Sequence, residues 1–504
     1  MQALISVYDK TNIIPFAQSL AESSVHIIST GGTQKLLTEE ASLVVTPVAE
    51  VTQSPEMLDG RVKTLHPRIH GGILALRDDK NHMQQLQDYS IDPIDIVVSN
   101  LYPFEDVSSK PGVTINEVVE NIDIGGPSMV RAAAKNFSSV LIVIDPLDYE
   151  WIGNRIRNNQ TISFDERKAL AAKAFQHVAL YDTLVSSYLT NTDTLPQELT
   201  LAYRQKYPLR YGENPHQNAA VYSKIPSKGG LSWATQVQGK ELSFNNILDA
   251  EAAWNTVTDF AQASVAIIKH HNPCGLASHD DQVTAYTRAF EGDPVSAYGG
   301  IVAFNRIVDE STCESFGSTF YEVVIAPSYT PGALEVLARR KNLRVLIAEQ
   351  SEAVLDYHFI PGGLLIQTAD AIEENPDTWQ VVTETKPTPQ QFEDMKFAWQ
   401  AAKHVKSNAI VIAGSNALLG MGAGQPNRVT SIYLAIRAAG AKSQGSVLAS
   451  DAMFPFPDNV EAASEGGIGA IVQPGGSIRD KEIIEAADKL SIPMVFTGIR
   501  HFKH

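Results

Sequence analysis

What most constrains this chain is a series of short apolar runs set between amphipathic stretches and glycine-bearing turns. In the first part they are Ala3–Val7, Val25–Ser29, Asp95–Ser99 and Ser139–Ile144. Strands buried on both faces read as continuous apolar segments rather than alternating ones, so these runs predict a parallel sheet covered by helices. Gln34–Glu40 among them and the alanine-rich, proline-free stretch Arg167–Leu189 after them carry helical spacing. The second part continues in the same α/β style. Its strand-like runs are Val265–Ile268, Ile301–Phe304, Glu322–Ile325, Leu343–Ile347, Ala409–Ile412, Val447–Ala449 and Ile468–Val472. Helices are predicted at Asp249–Thr256, Pro331–Arg340, Gln390–Lys403 and Arg428–Ala439, and no repeat of solenoid spacing is visible. The polar segment Thr190–Glu198, with Pro196, marks a domain boundary.

Composition narrows the function. The 504 residues carry 57 acidic and 40 basic side chains, a net charge of −17. That balance argues against nucleic-acid or anionic-membrane binding, while leaving room for a local basic pocket that takes a small anion. Two cysteines, Cys274 and Cys313, exclude a disulfide framework and a cysteine-rich zinc site. No apolar stretch reaches the roughly 18 residues of a membrane span, and the start of the chain lacks a basic, apolar leader pattern. A soluble, cytoplasmic enzyme is expected.

Several segments carry chemistry. Ser29-Thr-Gly-Gly-Thr33 lies between a strand and a helix, where glycines and a helix N-terminus either receive a phosphate or merely make a tight turn. Ser54–Gly72 gathers Arg61, Lys63, His66, Arg68 and His70 around Thr64. Pro55, Gly60 and Pro67 predict a structured loop there, either an anion site or a solvated basic loop. Asn100-Leu-Tyr102 follows a strand, at the end where open α/β sheets bind ligands; Tyr102 is a proton or hydrogen-bond donor, or a cap on the core. Asp123 precedes Gly125-Gly126-Pro127 and a helix on which Arg131 and Lys135 share a face. In a pocket such a carboxylate and lysine form an acid/base pair; on a surface they form an ion pair.

Further on, Arg210–Gln217 and Gly239–Asn246 are amide-rich loops, and Asp293–Gly300, Gly420–Gln425 and Ser450–Phe456 are further loop candidates. Ile268-Lys-His-His-Asn-Pro-Cys-Gly275 comes off a strand, offering a base and a cation for an oxyanion. Adjacent residues on extended chain point opposite ways, which places one histidine of the pair in a pocket and argues against a metal. Cys274 is read as a packing residue.

Taken together, and in this order from Ser6-Val-Tyr-Asp-Lys10 to Arg500-His-Phe-Lys-His504, these segments resemble the bifunctional AICAR transformylase/IMP cyclohydrolase family over essentially the whole chain. The resemblance implies a cyclohydrolase domain at 1–198, Rossmann-like and similar to methylglyoxal synthase. It implies a transformylase at 199–504 with two cytidine-deaminase-like subdomains and no catalytic metal. By motif, the cyclohydrolase site would hold Ser6, Lys10, Ser29, Thr30, Gly31, Thr33, Arg61, Lys63, Thr64, Asn100, Tyr102, Asp123 and Lys135. Among these, Lys63 and Tyr102 would serve the formyl oxygen, and Asp123 and Lys135 the carboxamide. The transformylase would use Lys269 and His270 at the reacting centre, with Arg210, Tyr211, Asn245, Asn408, Phe456 and a C-terminal histidine, His504, in the pocket. AICAR, formyl-AICAR and 10-formyltetrahydrofolate are the implied small molecules, and a homodimer the implied assembly. The rivals are a chain with one activity alive and a non-catalytic nucleotide-binding regulator on the same scaffold.

Overall fold

The computed structural model describes every residue except 59, 191–194, 227–228 and 352–354. Part of the segment Thr190–Glu198 and Asp59 of the basic segment therefore lie outside the described residues. The chain divides into two compact units, Met1–Arg204 with Lys224–Pro226, and Gln205–Ser223 with Ser227–His504.

The first unit is built on five parallel strands, β1 (Gln2–Ser6), β2 (His26–Ser29), β3 (Val45–Pro47), β4 (Ile96–Ser99) and β5 (Leu141–Val143), in the order β3-β2-β1-β4-β5. Ala3, Leu4, Ile5, Val97, Val98 and Ile142 are buried, as continuous apolar strands between helix layers require. The chain winds outward from β1 to β3, then returns to lay β4 and β5 on the other side. Loops after β1 and β4 thus part at the switch point, where such sheets hold ligands.

Four helices matter for the site: α1 (Gly31–Glu39), α2 (Pro67–Leu74), α3 (Gly125–Lys135) and α4 (Phe164–Leu189). Ser163 and Glu166 form a capping box that starts α4. α2 corrects the reading of Ser54–Gly72 as loop throughout. Pro67 occupies the first helical turn, where a missing N–H costs nothing, and the His66 ring accepts from Arg68 N at 3.2 Å as the N-cap.

After the first unit the chain runs through β6 (Tyr203–Leu209) and β7 (Ala219–Lys224), which lie in the second unit except for Tyr203, Arg204 and Lys224, and then through β8 (Thr235–Gln238), β9 (Ser264–Lys269), β10 (Asn272–Ser278), β11 (Gly300–Phe304), β12 (Tyr321–Ala326) and β13 (Arg344–Ile347) of the second unit. It continues through β14 (Leu355–Ile360), β15 (Gly363–Thr368), β16 (Gln380–Val381), β17 (Ile410–Gly414), β18 (Ala417–Gly422), β19 (Val447–Ser450), β20 (Ala470–Gln473) and β21 (Met494–Phe496). Twelve of these make one sheet, β16-β21-β20-β19-β17-β18-β10-β9-β11-β12-β13-β8. The β6–β7 and β14–β15 ribbons are separate.

The large sheet is two copies of one pattern meeting at β10–β18. In each copy a hairpin (β9–β10 or β17–β18) is followed by an antiparallel neighbour (β11 or β19), then two parallel strands (β12–β13 or β20–β21). An antiparallel edge strand, β8 or β16, closes each copy. The helices before the hairpins, α5 (Phe244–Thr258) and α7 (Pro389–Ala402), share one core around Trp254 and Trp399. Those after them, α6 (Gln282–Phe290) and α8 (Arg428–Ala439), cover the other face. A Cβ at Gly275 would run into the carbonyl of Ala289 on α6, and one at Gly420 into that of Ala435 on α8. Glycine at these two places lets helix and strand touch.

Candidate functional site

In the first unit the strand ends converge on a small cationic pocket. Ser6 closes β1 and its hydroxyl meets that of Thr30 at 3.1 Å, while the Ser29 hydroxyl donates to Ile5 O at 2.6 Å. Thr30 is the N-cap of α1. Lys10 reaches back from the β1 loop to donate to Thr33 Oγ1 at 2.7 Å and to the Val7 carbonyl. Burial pushes the Lys10 ammonium pKa down, and the charge of Lys63 pushes it further. Lys63 Nζ lies 3.9 Å from where a Cβ on Gly31 would be, over the opening turn of α1. The left-handed φ of 45° favours glycine there.

Asp123 faces the same space from the start of α3. Its Oδ1 accepts from Gly126 N at 2.8 Å, and its own N–H donates to Tyr181 Oη at 2.8 Å. Burial raises the Asp123 pKa, opposed by the Gly126 and Tyr102 N–H groups and by Lys63. The Tyr102 ring packs edge-on against Tyr8 at 5.7 Å. Lys10, Lys63, Tyr102 and Asp123 are thus gathered around helix N-termini: two partly buried cations, an exposed phenol and a partly buried carboxylate.

Other predicted residues are occupied elsewhere. Asn100 uses its side chain to stitch the β1 loop, accepting from Tyr8 N (2.6 Å) and Asp9 N (3.0 Å) and donating to Asp9 O (3.0 Å). Thr64 is buried, with Oγ1 against Gly125, and Arg61 pairs with Glu120 at the surface. Lys135 does not join Asp123. It ends α3, a helix length of ~15 Å away at 1.5 Å per residue. There it lines a cavity of about 700 Å³ with His70, Arg131, Lys168, Phe137 and Phe175.

In the second unit the strand geometry expected through the histidine pair is absent. β9 stops at Lys269, β10 starts at Asn272, and these two residues pair directly. His270 and His271 are therefore the two central residues of a hairpin turn, with φ of 51° and 62°. Two consecutive left-handed residues are the signature of the tight turn whose twist suits a hairpin, and it normally takes Asn-Gly. Histidine there carries strain of order 1–3 kcal/mol per residue.

The turn is held from both sides. The Asp249 carboxylate on α5 accepts from His270 N (3.2 Å) and His271 N (2.8 Å), and Asn272 Nδ2 donates to His270 O (2.9 Å). Lys269 Nζ donates to Tyr298 O at 2.5 Å. Around the turn lie Glu251, whose pKa burial raises against the pull of Lys503 and His271, and Lys503, whose pKa burial lowers. Cys274, its Sγ 3.3 Å from Ile267 O and its pKa pushed up by burial to about 12, is a packing residue.

The chain matches the MGS-like domain family over residues 12–128 and the AICARFT/IMPCHase bienzyme family over residues 133–438. It is 50% identical to the bifunctional purine biosynthesis protein PurH of Bacillus mycoides (strain KBAB4), over 100% of this chain and 99% of that protein. The PurH of Bacillus cereus (strain AH187) is 49% identical with the same coverage. The chain belongs to the AICARFT/IMPCHase bienzyme family. It is a bifunctional enzyme of purine biosynthesis, a formyltransferase acting on AICAR and an IMP cyclohydrolase. Its fold is the methylglyoxal-synthase-like sheet followed by the transformylase with two subdomains of one topology.

Within the second unit, the loop carrying Arg210 and Tyr211 comes beside α5. Arg210 donates to Tyr211 Oη at 2.9 Å over its ring, and Asn245 Nδ2 reaches Glu213 O at 3.5 Å. The antiparallel register Ala277↔Ala417 brings the end of β18 to the same sheet edge as the start of β10. Asn408 lies near that edge, but its side chain is engaged, accepting from Arg428 at 2.7 Å and donating to Gln425 O at 2.7 Å. Arg428 in turn forms a buried ion pair with Asp451. Phe456 is half-exposed under Arg479.

The two tail histidines divide cleanly. His501 is buried and bonded to Asp370 (2.6 Å) and Glu374; burial opposes its charge, but these carboxylates outweigh it and lift the pKa to about 9. His504 is exposed beside Phe502. The tail is anchored at His501, and Lys503 O then accepts from Ser407 N at 2.8 Å.

Among the described residues no group of three or more His, Cys, Asp or Glu side chains is placed to hold a metal, and no helix is long and apolar enough to cross a membrane. Sequence reasoning missed Asp249. A constant offset of 145 positions, which relates Asp249 to Asp394, Trp254 to Trp399 and Gly275 to Gly420, was the available signal.

Proposed function

We propose that the first-unit pocket closes formyl-AICAR to IMP and that the His270 turn transfers the formyl group. In ring closure the carboxamide nitrogen attacks the formyl carbon, a C–N bond forms, and the carbonyl oxygen leaves as water. An amide is a weak nucleophile, so the step needs a proton acceptor and cations at the oxygen. Asp123, raised in basicity by burial, takes the carboxamide proton; Lys63 and Tyr102 serve the oxygen. The phosphate rests on Thr30–Thr33 at the α1 N-terminus with Lys10, and Ser6 and Ser29 brace that loop. The gathering of Lys10, Lys63, Tyr102 and Asp123 carries this reading.

In formyl transfer the AICAR amine attacks the formyl carbon of 10-formyltetrahydrofolate, His270 takes the amine proton, and the folate nitrogen leaves protonated. Lys269 stabilises charge in the intermediate. Arg210, Tyr211, Asn245, Phe456 and His504 line the approach, with Asn408 bracing it.

The working protein is a cytoplasmic homodimer. A cyclohydrolase role for Lys135 requires a second protomer, because within one chain it lies ~15 Å along α3 from Asp123. Mixed dimers of Asp123→Asn and Lys135→Ala chains test this: regained ring closure supports a shared site, and none refutes it. Incubation with AICAR and 10-formyltetrahydrofolate, reading tetrahydrofolate and IMP together, tests the two assignments.

A further inference from the structure

The doubled transformylase sheet contains its own control for the histidine turn. At the 145-residue offset, His270-His271 corresponds to Ser415-Asn416 and Asp249 to Asp394. The second turn has the same left-handed backbone, with φ of 52° and 54°. It is also held by a carboxylate, since Asp394 Oδ1 accepts from Asn416 N at 2.9 Å. The carboxylates occupy the same place, six residues into α5 and α7 respectively.

The copies differ in two ways. Asp394 is 6% exposed, receives one turn N–H and is also approached by Gln390 Nε2 at 3.3 Å. Asp249 is only partly buried and receives both turn N–H groups, one on each oxygen. Residues 415–416 also have no acid or base side chain, whereas 270–271 are both imidazoles.

We infer that Asp249 is a positioning residue for formyl transfer: its two oxygens fix the backbone of the His270-His271 turn, and so fix where the His270 ring stands. The inference rests on His270 being the base. The reason is geometric. A two-residue turn in the left-handed region is a poor resting place for histidine, and without an acceptor for its two N–H groups it relaxes. The imidazole is joined to that backbone through a single methylene, so a rotation of the turn moves the ring bodily. Displacement of a reacting group by about 1 Å costs on the order of 10²-fold in rate. In the second copy the same device holds a turn without an acid or base side chain.

The test compares Asp249→Ala, Asp249→Asn, Asp394→Ala and Asp394→Asn in the full-length enzyme, with three readouts. The first is steady-state kinetics of formyl transfer. Asp249→Ala should lower kcat ~10–100-fold with the KM for AICAR within about threefold, and Asp249→Asn, which keeps one acceptor, should fall between it and wild type. Both Asp394 variants should keep kcat within about twofold. The second is amide hydrogen exchange: peptides spanning 266–274 should lose protection in the Asp249 variants only, and those spanning 412–418 in the Asp394 variants only. The third is thermal melting, which should drop in both sets. If Asp394→Ala fails to fold, Asp394→Asn supplies the control.

An unchanged kcat in a folded Asp249→Ala enzyme that has lost protection at 266–274 would overturn the positioning role. It would be traced to a wrong base if His270→Ala were also unchanged. Equal kcat losses in the two pairs would also overturn it, leaving the carboxylates as common structural supports.

Discussion

The two units build their sites from opposite materials. In the first unit, proposed for ring closure, the candidate pocket forms where five parallel strands end, and its donors are helix N-termini, glycine backbone and two lysines that the ordinary α/β arrangement delivers. Of its charged groups, Lys10 and Asp123 are disfavoured by burial. In the second unit the histidine proposed to react stands on a left-handed turn that its residue type disfavours, held by one carboxylate from a neighbouring helix. The first site depends on electrostatics in a regular frame. The second depends on a backbone conformation supported by partners, so it should be the more sensitive to changes away from the reacting groups.

That contrast can be broken at several points. The largest effects belong to the two proposed bases. His270→Ala should lower kcat of formyl transfer by ~10²–10⁴-fold with AICAR binding largely intact, and His271→Ala by far less. Steady-state kinetics with thermal melts on both variants checks this, and a more damaging His271→Ala would move the base by one residue. Asp123→Asn should lower ring closure of supplied formyl-AICAR in the same ~10²–10⁴ range, since the buried carboxylate is the group poised to take a proton.

Next comes the tail. His501→Ala removes a buried cation between Asp370 and Glu374 and should destabilise the second unit by about 2–4 kcal/mol, somewhat below the roughly 3–5 kcal/mol for breaking a fully buried pair because Asp370 is 42% exposed. The sign of its pH dependence is fixed. The folded pKa of about 9 exceeds the ordinary 6.5, so the contribution is full below pH 6.5 and is lost as pH rises through 9. Melting curves of wild type and variant should therefore converge on the alkaline side. A gap that widened there would contradict a protonated anchor.

The smallest effect sharpens the strain argument. His271→Gly places the permissive residue at φ 62° and should raise stability by about 0.5–1 kcal/mol while formyl transfer stays within a few-fold of wild type. Chemical denaturation of the variant reads this directly, and a loss of stability would show that the imidazole contributes more than its backbone costs.

Much of the frame was legible in the sequence. The apolar runs 265–268, 301–304 and 409–412 became β9, β11 and β17, and Arg167–Leu189 became α4, because buried strands and a long capped helix announce themselves by local pattern. The turns were harder. Ile268–Gly275 read as extended because nothing in His-His signals a hairpin; the left-handed turn goes with the pairing of Lys269 with Asn272 and with hydrogen bonds to Asp249, some twenty positions earlier in sequence. Pro67 read as a breaker when it was a helix opener, since the same fixed φ serves both. Arg131 and Lys135 share a helix face as the spacing predicts, but spacing along one helix says nothing about its distance from Asp123 at the other end. Nor does local pattern tell His501 from His504, because the carboxylates that bury the former lie about 130 positions away in sequence.

The central claim is that each unit carries one reaction on its own residues. The measurement that bears on it most directly follows tetrahydrofolate, formyl-AICAR and IMP together after AICAR and 10-formyltetrahydrofolate are added to Asp123→Asn or His270→Ala enzyme. Asp123→Asn should release tetrahydrofolate at nearly the wild-type rate while formyl-AICAR accumulates. His270→Ala should release little tetrahydrofolate yet convert supplied formyl-AICAR to IMP at the wild-type rate. If either folded variant lost both reactions together, the assignment of two separate sites would be contradicted.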